Sequence, residues 1–222
     1  MIVTVDGYAK SGKSAAAKQL AAALGFAYLD TGAMYRAAGL ALSEAGVDIH
    51  AKQRDAVRIA AAVAGYHYGR ADGRVELNGT DYTDRIGSDA AGAAASKVGT
   101  FPEVRKRLQS EQIRLASGGN TVCDGRDQGT SVFPFAEVKF FVIADATERA
   151  RRRVKQLSGD GPPPDFARTL ADILFRDRQD TTRAIDPLVP ATDAFILDTT
   201  ELAVEEVAAV MLHLVNSCRP RG

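Results

Sequence analysis

Apolar residues recur along the chain in two alternating rhythms. Short runs at residues 2–5, 26–29, 120–124, 138–143 and 194–198 are rich in β-branched or aromatic residues and read as buried strands. Longer segments between them place Ala, Leu, Ile and Val at helical spacing, at 13–24, 33–45, 52–64, 90–97, 102–116, 147–157, 166–180 and 201–215. Gly25, Gly46 and Gly65 stop the first three of these helices. Strands separated by helices predict an α/β fold with a five-stranded parallel sheet flanked by helices. Two stretches break the rhythm. Residues 66–82 alternate, carry Gly69, Gly73 and Gly79, and predict hairpins within an insertion. Residues 158–165 are polar and rich in Gly and Pro, which predicts a mobile surface loop. Residues 217–222 read as a frayed tail.

Composition narrows the class. A length of 222 residues suits one α/β domain with an inserted subdomain. Basic and acidic residues balance at 28 each, which argues against a nucleic-acid polymer as partner. Hydrophobic residues at 45% and charged residues at 25% exclude general disorder. No apolar run approaches the length of a membrane span. The first strand leads straight into a glycine loop without a leader, so a cytoplasmic location is expected. Two cysteines, Cys123 and Cys218, make no disulfide framework, and three scattered histidines offer no zinc spacing. Arginines number 20 against 8 lysines. Coding bias gives such an excess, and so does a site that grips phosphates bidentately.

The strongest local signal is Gly7-Tyr8-Ala9-Lys10-Ser11-Gly12-Lys13-Ser14, which fits the phosphate-loop pattern G-x-x-x-x-G-K-[ST]. It lies between a strand and a helix, as that motif requires. Its backbone N–H groups and the helix N-terminus would face the phosphates. Lys13 would reach the β- and γ-phosphates, and the Ser14 hydroxyl could ligate Mg²⁺. A second strand ends at Asp30-Thr31, either helix caps or site residues, with Arg36 one turn into the next helix. A third strand delivers Asp124, placed to help hold Mg²⁺ through water, followed by Arg126 and Asp127. In open α/β sheets ligands bind beyond the carboxyl ends of the strands, where these residues fall. Two further charged runs flank the loop at 158–165. Arg149, Arg152 and Arg153 share one helical face, and Arg176, Asp180 and Arg183 repeat that spacing. Such runs are often solvated faces, but here they suggest a lid that lowers arginines onto a phosphoryl group.

These segments resemble the bacterial cytidylate kinases, phosphate-loop (P-loop) kinases of the nucleoside monophosphate kinase type. The matching stretches are the phosphate loop, Leu29-Asp30-Thr31-Gly32-Ala33-Met34-Tyr35-Arg36, Ala94-Ala95-Ser96-Lys97-Val98, Phe101-Pro102-Glu103-Val104-Arg105, Asp124-Gly125-Arg126-Asp127-Gln128-Gly129-Thr130, Val132-Phe133-Pro134 and residues 176–184. They run in family order across essentially the whole chain.

The resemblance implies a core (1–40, 118–157 and 184–222), an enlarged monophosphate-binding region (about 41–117) and a lid (about 158–183). It implies transfer of a phosphoryl group from MgATP to CMP or dCMP by a monomer without a polymer or membrane partner. Gly7, Tyr8, Ala9, Lys10, Ser11, Gly12, Lys13, Ser14 and Ala15, with Arg149 and Arg153, would bind ATP. Ser14 and Asp124 would serve Mg²⁺. Thr31, Arg105, Arg126 and Asp127 would read the pyrimidine. Ser96, Arg176 and Asp180 would hold the ribose, and Arg36, Arg126 and Arg183 the monophosphate. Lys13, Arg126, Arg153 and Arg183 would carry the transfer. By spacing alone Ser96 and Arg105 are exposed helix positions. The chain departs from the family at Tyr8 (usually proline), Lys10 (usually glycine), Ala15 (usually threonine) and Thr182 (often asparagine). Two alternatives stay open: a phosphate-loop kinase for UMP or a non-nucleotide acceptor, and a degraded paralogue that only binds nucleotide.

Overall fold

A computed structural model describes residues 1–51, 53, 55–71, 74–158 and 164–218. Their contacts form two compact units, Met1–Leu29 with Gly119–Gly222, and Asp30–Gly118.

The first unit holds a five-stranded sheet built from β1 (Ile2–Gly7), β2 (Ala27–Asp30), β6 (Thr121–Asp124), β7 (Val138–Ile143) and β8 (Phe195–Asp198). Its order is β2-β6-β1-β7-β8. β1 pairs in parallel with β6 (Val5 opposite Asp124) and with β7 (Val5 opposite Phe140), and β7 with β8. Alternation along the strands sorts the two faces. Val3, Val5, Val138, Phe140 and Val142 pack on Ala16, Ala17 and Leu20 of α1 (Lys13–Leu24) and on Val207, Met211 and Val215 of α8 (Val204–Cys218). The intervening positions, Thr4, Asp6 and Lys139, are polar yet buried. The π-helix Gln128–Val132 packs against β1 and sets Gly129 over these three side chains. Helices α6 (Ala146–Leu157) and α7 (Phe166–Thr182) pack together in the same unit. Cys123 is buried within β6 and is not part of a disulfide.

The second unit contains α2 (Thr31–Glu44), α3 (Ala56–Ala64), α4 (Asp89–Val98) and α5 (Pro102–Ala116). It also contains a small antiparallel sheet of β3 (Tyr68–Ala71), β4 (Arg74–Leu77) and β5 (Thr80–Asp81). The irregular stretch at 66–82 is thus three short strands. α2 packs closely on α4, where a Cβ on Gly39 would stand 2.8 Å from that of Ala94.

Several boundaries shift from the sequence expectation. α3 starts at Ala56, because the Asp55 carboxylate caps it by accepting from Arg58 N at 2.9 Å. α8 starts at Val204 and runs on to Cys218. α7 continues to Thr182, two residues past the expected end. No helix among the described residues is long and apolar enough to cross a membrane. The expected lid loop falls mostly on residues 159–163, outside the described residues.

Candidate active site

The phosphate loop connects β1 to α1. Gly7 begins it with φ +145°, and a Cβ there would lie 2.1 Å from the Val142 carbonyl oxygen, so no other residue fits. Lys10 adopts φ +63°, a left-handed conformation that costs a non-glycine residue about 1 kcal/mol. Its ammonium donates to Gln156 Oε1 at 3.0 Å, which also accepts from Arg153 Nη1 at 3.2 Å. The loop is gripped from behind. Thr199 Oγ1 donates to the Ser11 carbonyl at 2.7 Å, and Arg152 bonds the carbonyls of Ser11, Thr199 and Thr200. Tyr8 stands edge-on to Phe141 and beneath the Arg149 guanidinium, 5.0 Å from its ring centroid. This stack gives the unusual Tyr8 a packing role.

Lys13 is 6% exposed, and its ammonium lies 3.2 Å from Asp124 Oδ1 and 3.5 Å from Ser14 Oγ. The Tyr28 hydroxyl donates to Asp124 Oδ2 at 3.1 Å. The start of α1 and the end of β6 therefore bring a cation, a hydroxyl and a carboxylate together. This all-oxygen donor pair, Ser14 and Asp124, fits the chemistry of Mg²⁺.

Beyond β6, Arg126 Nε bonds Asp180 Oδ2 of α7 at 3.2 Å. Arg183 Nη2, just past α7, lies 3.8 Å from Asp127 Oδ2. Arg183 Nε donates to the Asp186 carbonyl at 2.6 Å. Asp127 is 3% exposed. Arg176 lies half-buried one helical turn before Asp180. The two charged pairs join Arg126, Asp127, Asp180 and Arg183 into one cluster.

Arg149 behaves differently from the expected solvated or phosphate-facing arginine. It is 4% exposed and bonds Asp177 through both terminal nitrogens, at 3.0 and 2.7 Å. Its remaining bonds go to the carbonyls of Ala144 and Ala9. It is a strut between α6, α7 and the phosphate loop.

In the second unit, Thr31 is buried at the start of α2. Asp30 caps this helix through Ala33 N at 2.8 Å and also accepts from Arg36 Nη2 at 3.1 Å. Ser96 is half-buried on α4. Arg105 is no exposed helix charge. It is 2% exposed, donates to the Gly99 carbonyl at 3.1 Å and sits 5.8 Å over the Tyr35 ring. Burial of a cation beside an aromatic face marks it as more than surface decoration.

Four residues of this region escape the sequence reading: Asp6, Tyr28, Asp177 and Thr199. Asp6 left one signal, an acidic residue in an otherwise uncharged strand. The Asp6 carboxyl, buried beside Asp127 and Asp124, is pushed up to about 7 chiefly by burial. Hydrogen bonds from Gly129 and Gln128 N–H oppose that rise.

The sequence profile of the cytidylate kinase family matches residues 3–217. A cytidylate kinase of Pelotomaculum thermopropionicum is 45% identical, covering 98% of this chain and 96% of that protein. Those of Pasteurella multocida and Rhodococcus opacus are each 42% identical, covering 97% of this chain and 95% of each relative. An uncharacterized protein from Eubacterium ventriosum shares the fold with a TM-score of 0.53 at 13% identity, covering 98% of this chain and 99% of its own. With the phosphate loop, the Asp124 strand end and a profile match over nearly its whole length, the chain belongs to the cytidylate kinase family.

Proposed function

We propose that the protein transfers the γ-phosphoryl group of ATP to CMP or dCMP, giving ADP and the cytidine diphosphate. The observation that carries this reading is Lys13, buried between Ser14 and Asp124 at the head of a phosphate loop, in a chain of this family. The loop residues 7–15 would cradle the donor phosphates, with Arg153 at their rim. Mg²⁺, held by Ser14 and through water by Asp124, would neutralise charge on the donor phosphates. The acceptor is already an anion, so no strong base is required. Alignment and charge neutralisation by Lys13, Arg126 and Arg183 supply the rate.

For the acceptor, Arg36, Arg126 and Arg183 would hold the monophosphate, and Ser96, Arg176 and Asp180 the ribose. Thr31, Arg105, Arg126 and Asp127 would read the base. The Asp127 carboxylate accepts from the cytosine amino group. Uracil has no donor there, and a buried carboxylate facing a carbonyl is costly. The enzyme would work as a cytoplasmic monomer.

A coupled ADP-release assay across CMP, dCMP, UMP, AMP and GMP tests the assignment. CMP and dCMP are expected to lead. Preference for a purine would overturn the base reading. Lys13→Ala should lower kcat at least 100-fold, and a near-normal rate would remove its role.

A further inference from the structure

Asp127 occupies the position from which an aspartate ordinarily caps its own helix. It is the residue immediately before the π-helix Gln128–Val132, yet its side chain makes no capping bond. Both opening N–H groups of that helix are taken by another carboxylate. Asp6 Oδ1 accepts from Gln128 N at 2.9 Å, and Asp6 Oδ2 accepts from Gly129 N at 2.7 Å. Asp6 reaches them from the sheet, because strand alternation turns it away from the apolar face and towards the π-helix. Gly129 completes the fit. A Cβ there would stand 2.9 Å from Thr4 Oγ1 and 3.4 Å from Asp6 Oδ2. The Asp127 carboxylate instead accepts from Gln128 Nε2 at 3.3 Å and faces Arg183.

An aspartate at this position, left to local preference, turns its oxygen onto the N–H groups two and three residues ahead, here those of Gly129 and Thr130. We propose that Asp6 is a positioning residue for base selection: it caps the π-helix in place of Asp127 and so keeps the Asp127 carboxylate directed at the acceptor. This rests on the reading of Asp127 as the group that reads cytosine. Without Asp6, the buried N–H groups of Gln128 and Gly129 lose their acceptor, and Asp127 stands at the N-cap position from which an aspartate reaches that of Gly129. Turning inward to supply it would remove the carboxylate that tells cytosine from uracil. The loss would fall on base discrimination, not on ATP.

Asp6→Asn keeps the size of the side chain but leaves one oxygen for two N–H groups. Steady-state kinetics with CMP and with UMP at saturating MgATP, and with MgATP varied at saturating CMP, would be measured for the wild type, Asp6→Asn, Asp127→Asn and the double variant. The expected result is at least a tenfold fall in the CMP-to-UMP ratio of kcat/KM for Asp6→Asn. That fall should come mainly through KM for CMP, with KM for ATP within about threefold of wild type. Asp127→Asn should lower the same ratio, and the double variant should go no further than about twofold below it. Equal losses for both acceptors, an intact ratio, or effects that multiply in the double variant would overturn the assignment. If Asp6→Asn does not fold, Asp6→Ser, which also offers one oxygen, is measured in its place. A wild type that shows no preference for CMP over UMP refutes the base reading itself. A wild type that prefers CMP, with an Asp6 variant that keeps the preference, refutes only the role given to Asp6.

Discussion

At Asp6, burial and hydrogen bonding oppose each other. Burial lifts its carboxyl from 3.8 to about 7, despite two backbone N–H donors. In the unfolded chain the group ionises near its ordinary value. Between those two values the folded state therefore holds a proton that the unfolded state has lost. The contribution of Asp6 to stability is fully present below about pH 4 and is lost as pH rises towards 7. Such an elevation corresponds to about 4 kcal/mol. Asp6→Asn removes the ionisation. Its melting temperature relative to wild type should therefore climb as pH rises from 5 to 8, as read by calorimetry. A difference independent of pH would show that Asp6 does not titrate in that window. Lys10 shows a different strain, in which a left-handed backbone conformation is imposed on a residue with a Cβ. Gln156 holds its ammonium at the rim of the loop.

Elements were readable wherever their residues repeat a period. α1, α5 and β7 occupy the residues that their apolar spacing predicts. The π-helix was not readable, because Gln128-Gly129-Thr130-Ser131-Val132 has no helical period and is held by Asp6, 122 residues away in the chain. The same limit hid the role of Arg149. Spacing puts it on a charged helical face, but its acceptor, Asp177, lies 28 residues on. The phosphate loop, Asp124 and Asp127 were legible because short motifs carry them. Arg105 was legible only by resemblance, since nothing local tells a buried helix arginine from an exposed one. The Arg149–Asp177 strut makes a testable demand on α6 and α7. Asp177→Ala would leave the Arg149 charge buried without its carboxylate, at a cost of about 3 kcal/mol. The melting temperature should fall by about 6–12 °C. A drop below 2 °C would show that the backbone carbonyls of Ala9 and Ala144 suffice.

Over the whole molecule, the strand order decides where chemistry is possible. β1 lies at the centre of the sheet, with β6 on one side and β7 on the other. The connection from β1 runs to one side of the sheet, towards β2, and that from β6 to the other, towards β7, and the crevice at such a switch point is where α/β proteins bind ligands. The sequence foretold five strands but not this order, since neither β6 nor β7 follows β1 in the chain. The position of Tyr28 beside Asp124 has an optical consequence. The chain contains no tryptophan, so tyrosine emission is not drained by energy transfer to an indole. Of its six tyrosines, only Tyr8 and Tyr28 belong to the first unit. Tyr28 donates to a carboxylate, an arrangement that quenches phenol fluorescence. MgATP should weaken that bond by drawing on Asp124, and tyrosine emission should rise with occupancy. Tyr28→Phe should abolish most of the change. The protein would thus report its own donor binding without a label, and a titration in which Tyr28→Phe responds like wild type would assign the signal elsewhere.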